Sequence, residues 1–256
     1  MRNQVLFKKA GDSYITVTAT VFDDGLSAPT TDAYGRPCMG QADVTQQVAG
    51  AGDYWVADMQ CGHDISGLFS GWTLAVAYAD PIAPMRAIRL YDGCDQASSG
   101  SDVTFTLLGL LAPAAGPVDA HLGVVLGDGD TGFTGDSVTL DGTALSDALN
   151  PSSNFGNSTI SRFGLRVATR SPAYVNTLGF DVDVLQTTGV LPSGATSATL
   201  MLHTTNENLF AGVFAVATDV SADVRNVPAL GGLWLVALAA ALLGAELLLL
   251  WRRALS

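Results

Sequence analysis

The longest apolar stretch of the chain lies near its C-terminus, at residues 230–251 (LGGLWLVALAAALLGAELLLLW), and holds one charged residue, Glu246. A helix of this length spans about 30 Å at about 1.5 Å per residue, which matches the hydrocarbon core of a membrane. Arg252 and Arg253 follow directly, and positive charge marks the cytoplasmic end of such a helix. The sequence therefore predicts one transmembrane helix over 230–251, a basic cytoplasmic tail over 252–256, and the preceding residues on the other side of the membrane.

A domain on the outer side needs an export signal, and the first residues do not provide one. Residues 1–9 (MRNQVLFKK) lack the apolar run of a signal peptide. We expect the natural start to lie further upstream, so that residues 1–225 form an extracellular domain truncated at its N-terminus. The alternative is a tail-anchored protein whose bulk is cytosolic. Residues 226–229 are expected to form a short linker between the domain and the membrane helix.

The charge balance limits the classes of partner. The net charge is −12, and Lys8 and Lys9 are the only lysines. Nucleic-acid binding needs clustered Lys and Arg that neutralise phosphates, so this class is excluded. Hydrophobic residues make up 48 % of the chain and charged residues 14 %, which favours a buried core over long disorder.

Apolar and polar residues alternate along several segments, as they do in half-buried β-strands. One such segment alternates Phe180, Val182 and Val184 with Asp181 and Asp183. In a half-buried strand the three apolar side chains are expected to face the core. Residues 212–218 are apolar on both faces, which predicts a central strand. Further strands are predicted at 14–22, 71–78, 103–108, 118–126 and 198–203.

Signals for helix are weak before residue 226. Asp43 is a candidate first residue of a short turn through Val48, and Ser146 of another that ends before Pro151. Turn residues separate the predicted strands, for example at 128–130 (DGD) and 141–142 (DG). About ten short strands with almost no helix predict an all-β fold, a β-sandwich or jelly-roll-like domain followed by the C-terminal membrane helix.

The three cysteines, Cys38, Cys61 and Cys94, show no CxxC spacing, so neither a zinc knuckle nor a thioredoxin-type motif is indicated. In an exported protein, one disulfide and one free thiol is the expected count. The sequence leaves all three pairings open. The alternative is three buried small hydrophobic side chains.

Catalytic motifs are missing from the sequence. The histidines His63, His121 and His203 are scattered, and neither a Gly-x-Ser-x-Gly elbow nor a His-Glu-x-x-His segment occurs. His203 lies on the polar face of a predicted strand, where a plain surface histidine is expected. The sequence therefore predicts a protein that is not an enzyme.

Residues 127–136 (GDGDTGFTGD) are the best candidate for a binding site. Calcium prefers several hard oxygen ligands, and alternating Asp and Gly allows side-chain and backbone oxygens to converge. Asp128, Asp130 and Asp136 are the candidate ligands of a Ca²⁺ ion, the one cofactor that the sequence suggests. The segment departs from the EF-hand loop at its sixth and twelfth positions, and an acidic hairpin loop without metal is the alternative.

A series of short motifs follows one another in a specific order along the chain: Ala42-Asp43-Val44-Thr45, Gly71-Trp72, Asp80-Pro81, Tyr91-Asp92-Gly93, Gly135-Asp136-Ser137, 145–151 (LSDALNP), 157–161 (NSTIS), Tyr174-Val175-Asn176 and 178–181 (LGFD). This order resembles a domain of large bacterial surface and adhesin-like proteins, over most of residues 4–220. The resemblance implies an extracellular β-sandwich without assigned catalysis, so no catalytic residue follows from it. Members of this family usually begin with a further strand before the region of residues 5–8, which supports truncation.

The C-terminus resembles a second class of sequence. Val227 and Pro228, the apolar span, and Arg252 and Arg253 are similar to the exosortase-linked or Ile-Pro-Thr-Leu type of protein-sorting tag of Gram-negative bacteria. This resemblance implies an envelope sorting protease or transpeptidase as a partner. A permanent single-span anchor is the alternative.

Together these observations predict a surface-displayed structural or adhesion module of a bacterial envelope, with glycan or protein ligands on other cells. The rival prediction is a carbohydrate-binding or hydrolytic extracellular domain. Exposed Trp and Tyr on one face, or two facing carboxylates in a groove, would favour the rival. Trp55, Trp72 and Tyr78 are the aromatic residues in question. Trp72 is expected in the core because it shares a predicted strand face with Leu74 and Val76.

Overall fold

The computed structural model describes residues 3–23, 39–60 and 69–220. Within these ranges the chain is all-β and contains no helix, which confirms the predicted class for this part. These residues form sixteen strands: β1 (Gln4–Lys9), β2 (Ile15–Thr18), β3 (Val21–Asp23), β4 (Met39–Gln41), β5 (Tyr54–Ala57), β6 (Arg86–Asp92), β7 (Gln96–Ser98), β8 (Val103–Leu108), β9 (Asp119–Gly129), β10 (Ser137–Leu140), β11 (Thr143–Ala144), β12 (Ile160–Arg162), β13 (Leu165–Arg166), β14 (Gly179–Thr188), β15 (Ser197–His203) and β16 (Asn208–Asp219).

The largest sheet is built around the long strands β9 and β16. Its order is β13-β12-β14-β9-β16-β6, and β7 pairs with the first residues of β16 beyond the end of β6. β12 and β14 run parallel, whereas β9 is antiparallel to both of its neighbours. β16 lies between β9 and β6, which confirms the central position predicted for residues 212–218.

A four-stranded antiparallel sheet, β11-β10-β15-β8, shares one hydrophobic core with the larger sheet. Ala198, Leu200 and Leu202 of β15 are buried while their neighbours are more exposed, so the predicted alternation is confirmed. Two sheets that bury apolar faces against each other form a β-sandwich. The core side chains come from both sheets and include Leu107, Leu122, Val124, Val138, Leu140, Leu185, Leu200, Leu202 and Phe214.

A smaller three-stranded sheet near the N-terminus has the order β2-β1-β5. Its register pairs Phe7 with Val56 and Lys8 with Trp55, so successive residues alternate between two faces. Phe7 is buried and its ring stacks on Tyr54 at 5.8 Å between centroids. The strand predicted at 14–22 is divided into β2 and β3: Ala19 N–H still bonds to Asn3 O, but Thr20 N–H bonds to Gln41 O of β4, and β3 pairs with β4.

The strand predicted at 71–78 is wrong. These residues pair with no other strand among the described residues, and Trp72 is 40 % exposed rather than part of the core. Period-two alternation makes a segment compatible with a sheet, but a strand also needs a partner for its backbone groups.

The strand predicted around residues 180–184 exists as β14, but its two faces are the reverse of the expected ones. Asp181 and Asp183 are buried, whereas Phe180, Val182 and Val184 are only partly buried. The Asp side chains point to the core side because this end of the sandwich supplies hydrogen-bond donors, which are described below.

The turns predicted at Asp43 and Ser146 do not become helices. The Asp43 carboxylate accepts a bond from Thr45 N–H at 2.8 Å, and a single hydrogen-bonded turn follows. In the second segment Asp147 accepts bonds from Leu149 and Asn150 N–H, both at 3.0 Å. Short polar side chains that bond to nearby backbone in this way stabilise turns rather than helix interiors.

The predicted turn at Asp141-Gly142 is present between β10 and β11, with φ of 46° and 77°. Asp128 and Gly129, in contrast, belong to β9, and the turn follows at residues 131–132. No helix in the described part is long and apolar enough to span a membrane. Residues 221–256, which carry the predicted linker, transmembrane helix and basic tail, lie outside the described residues.

Candidate functional site

Buried polar residues concentrate at one end of the sandwich, which we call the acidic end and define by residues 128–136, 147–161, 178–183 and 204–207. Hydrogen bonds join these segments: Thr131 Oγ1 donates to Asn157 O, Ser158 Oγ to Gly129 O, and Asn206 Nδ2 to Thr134 O. Buried polar residues within it are Asp136, Asn150, Asn157, Ser158, Ser161, Asp181, Asp183 and Thr204.

Two carboxyl groups from different loops meet at the acidic end. Asp136 precedes β10, Glu207 precedes β16, and their side chains lie within hydrogen-bond reach of each other. Asp136 is 1 % exposed, and its Oδ2 accepts a bond of 2.6 Å from Gly156 N–H. Burial, and next the charge of Asp136, raise the pKa of Glu207 to about 8. Burial also raises the pKa of Asp136, while the Gly156 N–H opposes this change.

Close backbone approach shapes this pair. Gly129, the last residue of β9, lies so near Gly156 that a Cβ atom at position 129 would overlap the carbonyl group of Gly156. Absence of a side chain there lets the 155–157 segment reach Asp136 with its N–H groups. The two glycines therefore bring the donor of Gly156 to the buried carboxylate.

A second buried carboxyl pair, Asp181 and Asp183, lies on β14. The Oδ2 atom of Asp181 accepts a bond of 3.1 Å from Thr159 N–H. Asp183 accepts a bond of 2.5 Å from Ser161 Oγ, which in turn accepts one of 2.9 Å from Asn150 Nδ2. Burial raises the pKa of Asp183 to about 10, with further contributions from its hydrogen bond to Asp181 and from the charge of Asp181.

The raised pKa of Asp183 implies that this residue holds a proton at neutral pH and donates it in a hydrogen bond to Asp181. Burial raises the pKa of Asp181 as well, while hydrogen bonds from Asp183 and from backbone N–H groups oppose this change. Both carboxyl groups are sealed from solvent. They do not form the pair of facing carboxylates in an open groove that would favour the hydrolytic rival.

The three residues of the predicted calcium loop do not all converge. Asp128 is half-buried with a φ of 66°, Asp130 is exposed, and Asp136 is buried beside Glu207. Burial raises the pKa of Asp128 to about 6, and the charge of Asp130 adds to this effect. Within residues 3–23, 39–60 and 69–220, no three His, Cys, Asp or Glu side chains are grouped so that they could hold a metal ion.

Glu207 was missed by the sequence analysis. It lies far along the chain from the Asp-Gly segment, and a single Glu before a strand carries no local signal of a site. Its proximity to Asp136 arises from the pairing of β10 with β15, which places Ser137 opposite His203 and so brings Asp136 next to the loop that carries Glu207.

The remaining predicted positions fall mostly outside the described residues. This holds for Cys38 and Cys61, and for the residues of the predicted sorting tag, Val227, Pro228, Arg252 and Arg253. Cys94 is half-buried after β6, so the disulfide stays a prediction.

Two of the histidines lie within the described part. His121 packs against Phe163 at 4.8 Å between ring centroids. His203 Nδ1 lies 2.6 Å from the Asp102 carboxylate on the surface of the four-stranded sheet, which agrees with the partly exposed strand position expected for it. His63 lies outside the described residues.

An exposed aromatic face lies on the N-terminal sheet, at Tyr14, Lys8 and Trp55. Tyr14 and Trp55 are 42 % and 41 % exposed. The Lys8 ammonium lies 4.6 Å from the centroid of the Tyr14 ring and 5.1 Å from that of Trp55. Gln4 and Thr18 are bonded to each other at 3.1 Å on the same face. The face therefore combines two flat rings, one cation and polar side chains in contact with solvent.

Comparison with known proteins gives no family for the chain. No family model and no curated protein matches it.

Among solved structures, a GH86 protein in complex with neoagarooctaose is similar over 88 % of this chain and 28 % of its own, at 10 % identity and a TM-score of 0.34. A β-porphyranase of glycoside hydrolase family 86 from the human gut bacterium Bacteroides plebeius matches over 85 % and 29 % of the two chains, at 11 % identity and a TM-score of 0.30. A structure of infectious bursal disease virus Gt strain covers 84 % and 55 %, at 11 % identity and a TM-score of 0.28. The chain thus spans under a third of the two family 86 proteins, and similarity this low carries no argument about activity.

Proposed function

We propose that this chain is a non-catalytic adhesion module of a bacterial cell surface that binds carbohydrate through Tyr14, Lys8 and Trp55. One observation carries the proposal, namely the exposure of two aromatic rings on the outer face of a sheet. A tryptophan on a solvated face gains little from burial. Trp and Tyr are enriched at binding surfaces because they offer a large rigid area with a polar handle.

The chemistry of the face favours a sugar as the ligand. The faces of aromatic rings carry negative potential and attract the slightly positive C–H groups on the flat side of a pyranose ring. Gln4 and Thr18 provide amide and hydroxyl groups for hydrogen bonds to sugar hydroxyls. Lys8 adds a positive charge in a chain whose net charge is −12, so a sugar with a carboxylate or sulfate group fits this face best.

The same proposal includes the sequence-based topology. Residues 1–225 lie outside the cell, and residues 226–256 anchor or sort the domain through the membrane span and the tag-like residues. This part is supported by the amino-acid pattern of the C-terminus alone. Labelling of intact cells with an antibody against residues 1–225 tests it, since a cytosolic domain stays unlabelled until the cells are permeabilised.

Binding is tested by screening the full chain on an array of neutral and acidic glycans, followed by affinity measurements with the best ligand. Trp55→Ala should weaken binding by about 10-fold or more, because aromatic anchors dominate most binding surfaces. Tyr174→Ala is the matched control, since Tyr174 is exposed and belongs to no strand of the β2-β1-β5 sheet. Failure of the full chain to bind any glycan, or equal affinity of Trp55→Ala and wild type, would overturn the proposal.

A further inference from the structure

Buried oxygen atoms without a hydrogen-bond donor collect at the Asp136–Glu207 pair. Oδ1 of Asp136 and both carboxylate oxygens of Glu207 are sealed from solvent, and no donor outside the pair bonds to them. A proton shared between the two carboxyl groups joins only one oxygen of each, so at least one Glu207 oxygen still has no donor. Asn154 forms a short parallel bridge with Asp136, and its side-chain oxygen is also buried without a donor. Buried polar atoms are almost always satisfied, so a group of orphaned acceptors indicates a missing partner.

We propose that Asp136 and Glu207 bind a calcium ion that joins the loop before β10 to the loop between β15 and β16 at the acidic end. The orphaned atoms are all oxygens, and a missing partner for several acceptors must be a donor or a cation. Asp136 is 1 % exposed, and its Oδ2 is occupied by Gly156 N–H, so Oδ1 is the oxygen left for a cation.

The donor set selects the type of cation. Carboxylate and amide oxygens are hard ligands that suit calcium, whereas zinc and copper prefer His and Cys, neither of which contributes an orphaned atom here. Calcium also accepts irregular geometry and completes its shell with backbone carbonyls and water, while magnesium demands an octahedron of short bonds. Two carboxylates and one amide oxygen therefore predict a weak site of the type found in extracellular modules, with a Kd of about 0.1–1 mM.

The surrounding loops are tied together in a way that would hold such a site. Asn154 Nδ2 donates to Thr131 O at 3.3 Å, and Asn206 Nδ2 donates to Thr134 O at 2.6 Å. Glu207 N–H donates to Thr204 Oγ1 at 3.3 Å. Of these bonds, the one from Asn206 joins the segment before β10 to the loop between β15 and β16. An ion between Asp136 and Glu207 would join the same two segments.

The site differs from the one suggested by the spacing of Asp and Gly. Asp136 is a ligand in both sites, whereas Glu207 and Asn154 are ligands only in the one proposed here. Asp128 and Asp130 are not ligands, but their charges act on Glu207 and raise the local negative charge. Their position at the rim favours attraction of a cation without direct coordination.

Calcium binding is tested on the full chain after removal of metal with a chelator, by equilibrium dialysis with radioactive calcium and by thermal unfolding with and without calcium. The proposal predicts saturable binding of one ion with a Kd of about 0.1–1 mM and a higher unfolding temperature in calcium. Magnesium at the same concentration should bind at least 10-fold more weakly. Absence of saturable calcium binding up to about 10 mM would overturn the proposal.

Two variants locate the site. Glu207→Gln keeps the shape of the side chain and can donate to Asp136, so the fold is retained while calcium affinity falls by at least 10-fold. Asp12→Asn, which removes one carboxylate from an exposed position, should leave affinity unchanged and controls for loss of overall charge. Near-ultraviolet circular dichroism confirms that each variant is folded. Wild-type affinity in folded Glu207→Gln would show that the ion binds elsewhere and would refute the assignment.

Discussion

The Asp181–Asp183 pair should make the stability of the fold decrease as the pH rises. The pKa of Asp183 is raised to about 10, first by burial and then by Asp181, whereas the same carboxyl group in an unfolded chain titrates near pH 4. A raised folded pKa contributes stability that is fully present below the unfolded pKa. That contribution is lost as the pH rises towards the folded pKa. The pH range in which rising pH lowers the stability of the fold through this pair therefore extends from about pH 4 to about pH 10.

The size of the effect follows from proton linkage. Between these limits the folded protein holds one more proton at Asp183 than the unfolded chain does, and one proton corresponds to about 1.4 kcal/mol per pH unit. From pH 6 to pH 8 this single group should lower the free energy of unfolding by about 3 kcal/mol. The result requires only that the folded pKa of Asp183 lies above 8, and burial together with Asp181 raises it to about 10.

Asp183→Asn isolates this contribution. The amide can still accept the bond from Ser161 and donate to Asp181, but it cannot ionise. Urea unfolding of the full chain at pH 6, 7 and 8 gives the free energy of unfolding at each pH. The slope of this free energy against pH should be less negative for Asp183→Asn than for wild type by about 1.4 kcal/mol per unit. Other carboxyl groups with raised pKa values, such as Asp128, affect both proteins alike. Parallel slopes for wild type and Asp183→Asn would refute the assignment of a shared buried proton.

Three further substitutions test the packing of the sandwich by the same unfolding measurement. Gly129→Ala should destabilise the fold by about 3 kcal/mol, because its Cβ would overlap the backbone of Gly156. Gly132→Ala is the control, because a Cβ atom at position 132 would meet only open space; it should change stability by less than about 0.5 kcal/mol. An equal loss of stability in both variants would contradict the close approach of Gly129 to Gly156. Leu202→Ala, at a fully buried position of β15, should cost about 2–5 kcal/mol, and a cost below about 1 kcal/mol would show that this side chain is not packed between the sheets.

Where one face of a strand is buried by apolar side chains, the sequence predicted the fold well. β8 has the bounds predicted for it, and the alternation of Leu200 and Leu202 with polar neighbours identified the buried face of β15. A shift of one residue would place these leucines in solvent, so hydrophobic burial determines both the strand and its register.

The segment at 71–78 shows the limit of that reasoning. Its alternation is as regular as that of β15, yet Trp72 and Tyr78 are exposed and the backbone has no strand partner in the described part. Periodicity is a property of the segment alone, whereas pairing depends on which other strand lies alongside. Burial of a large aromatic residue therefore cannot be inferred from its own pattern without a partner strand.

β14 gives a different reason for failure, since its location was predicted correctly and its faces were not. Phe180, Val182 and Val184 are partly buried, and the ring of Phe180 packs against Gly71. The opposite face, which carries Asp181 and Asp183, is the fully buried one. Their burial is tolerated because Thr159 and Ser161, on a neighbouring loop and strand, donate to the two carboxylates.

The candidate calcium site illustrates the same dependence on distant segments. Local spacing identifies a site when one continuous loop supplies the ligands, as in an EF-hand. At the end of a β-sandwich the loops come from different sheets, so carboxylates that meet there need not be near in sequence. Asp136 could be selected because Asp and Gly alternate before it, but Glu207 follows an unremarkable turn into β16. A cation bound by these two residues would join the loop before β10 to the loop between β15 and β16, and only the pairing of β10 with β15 reveals that these loops are neighbours.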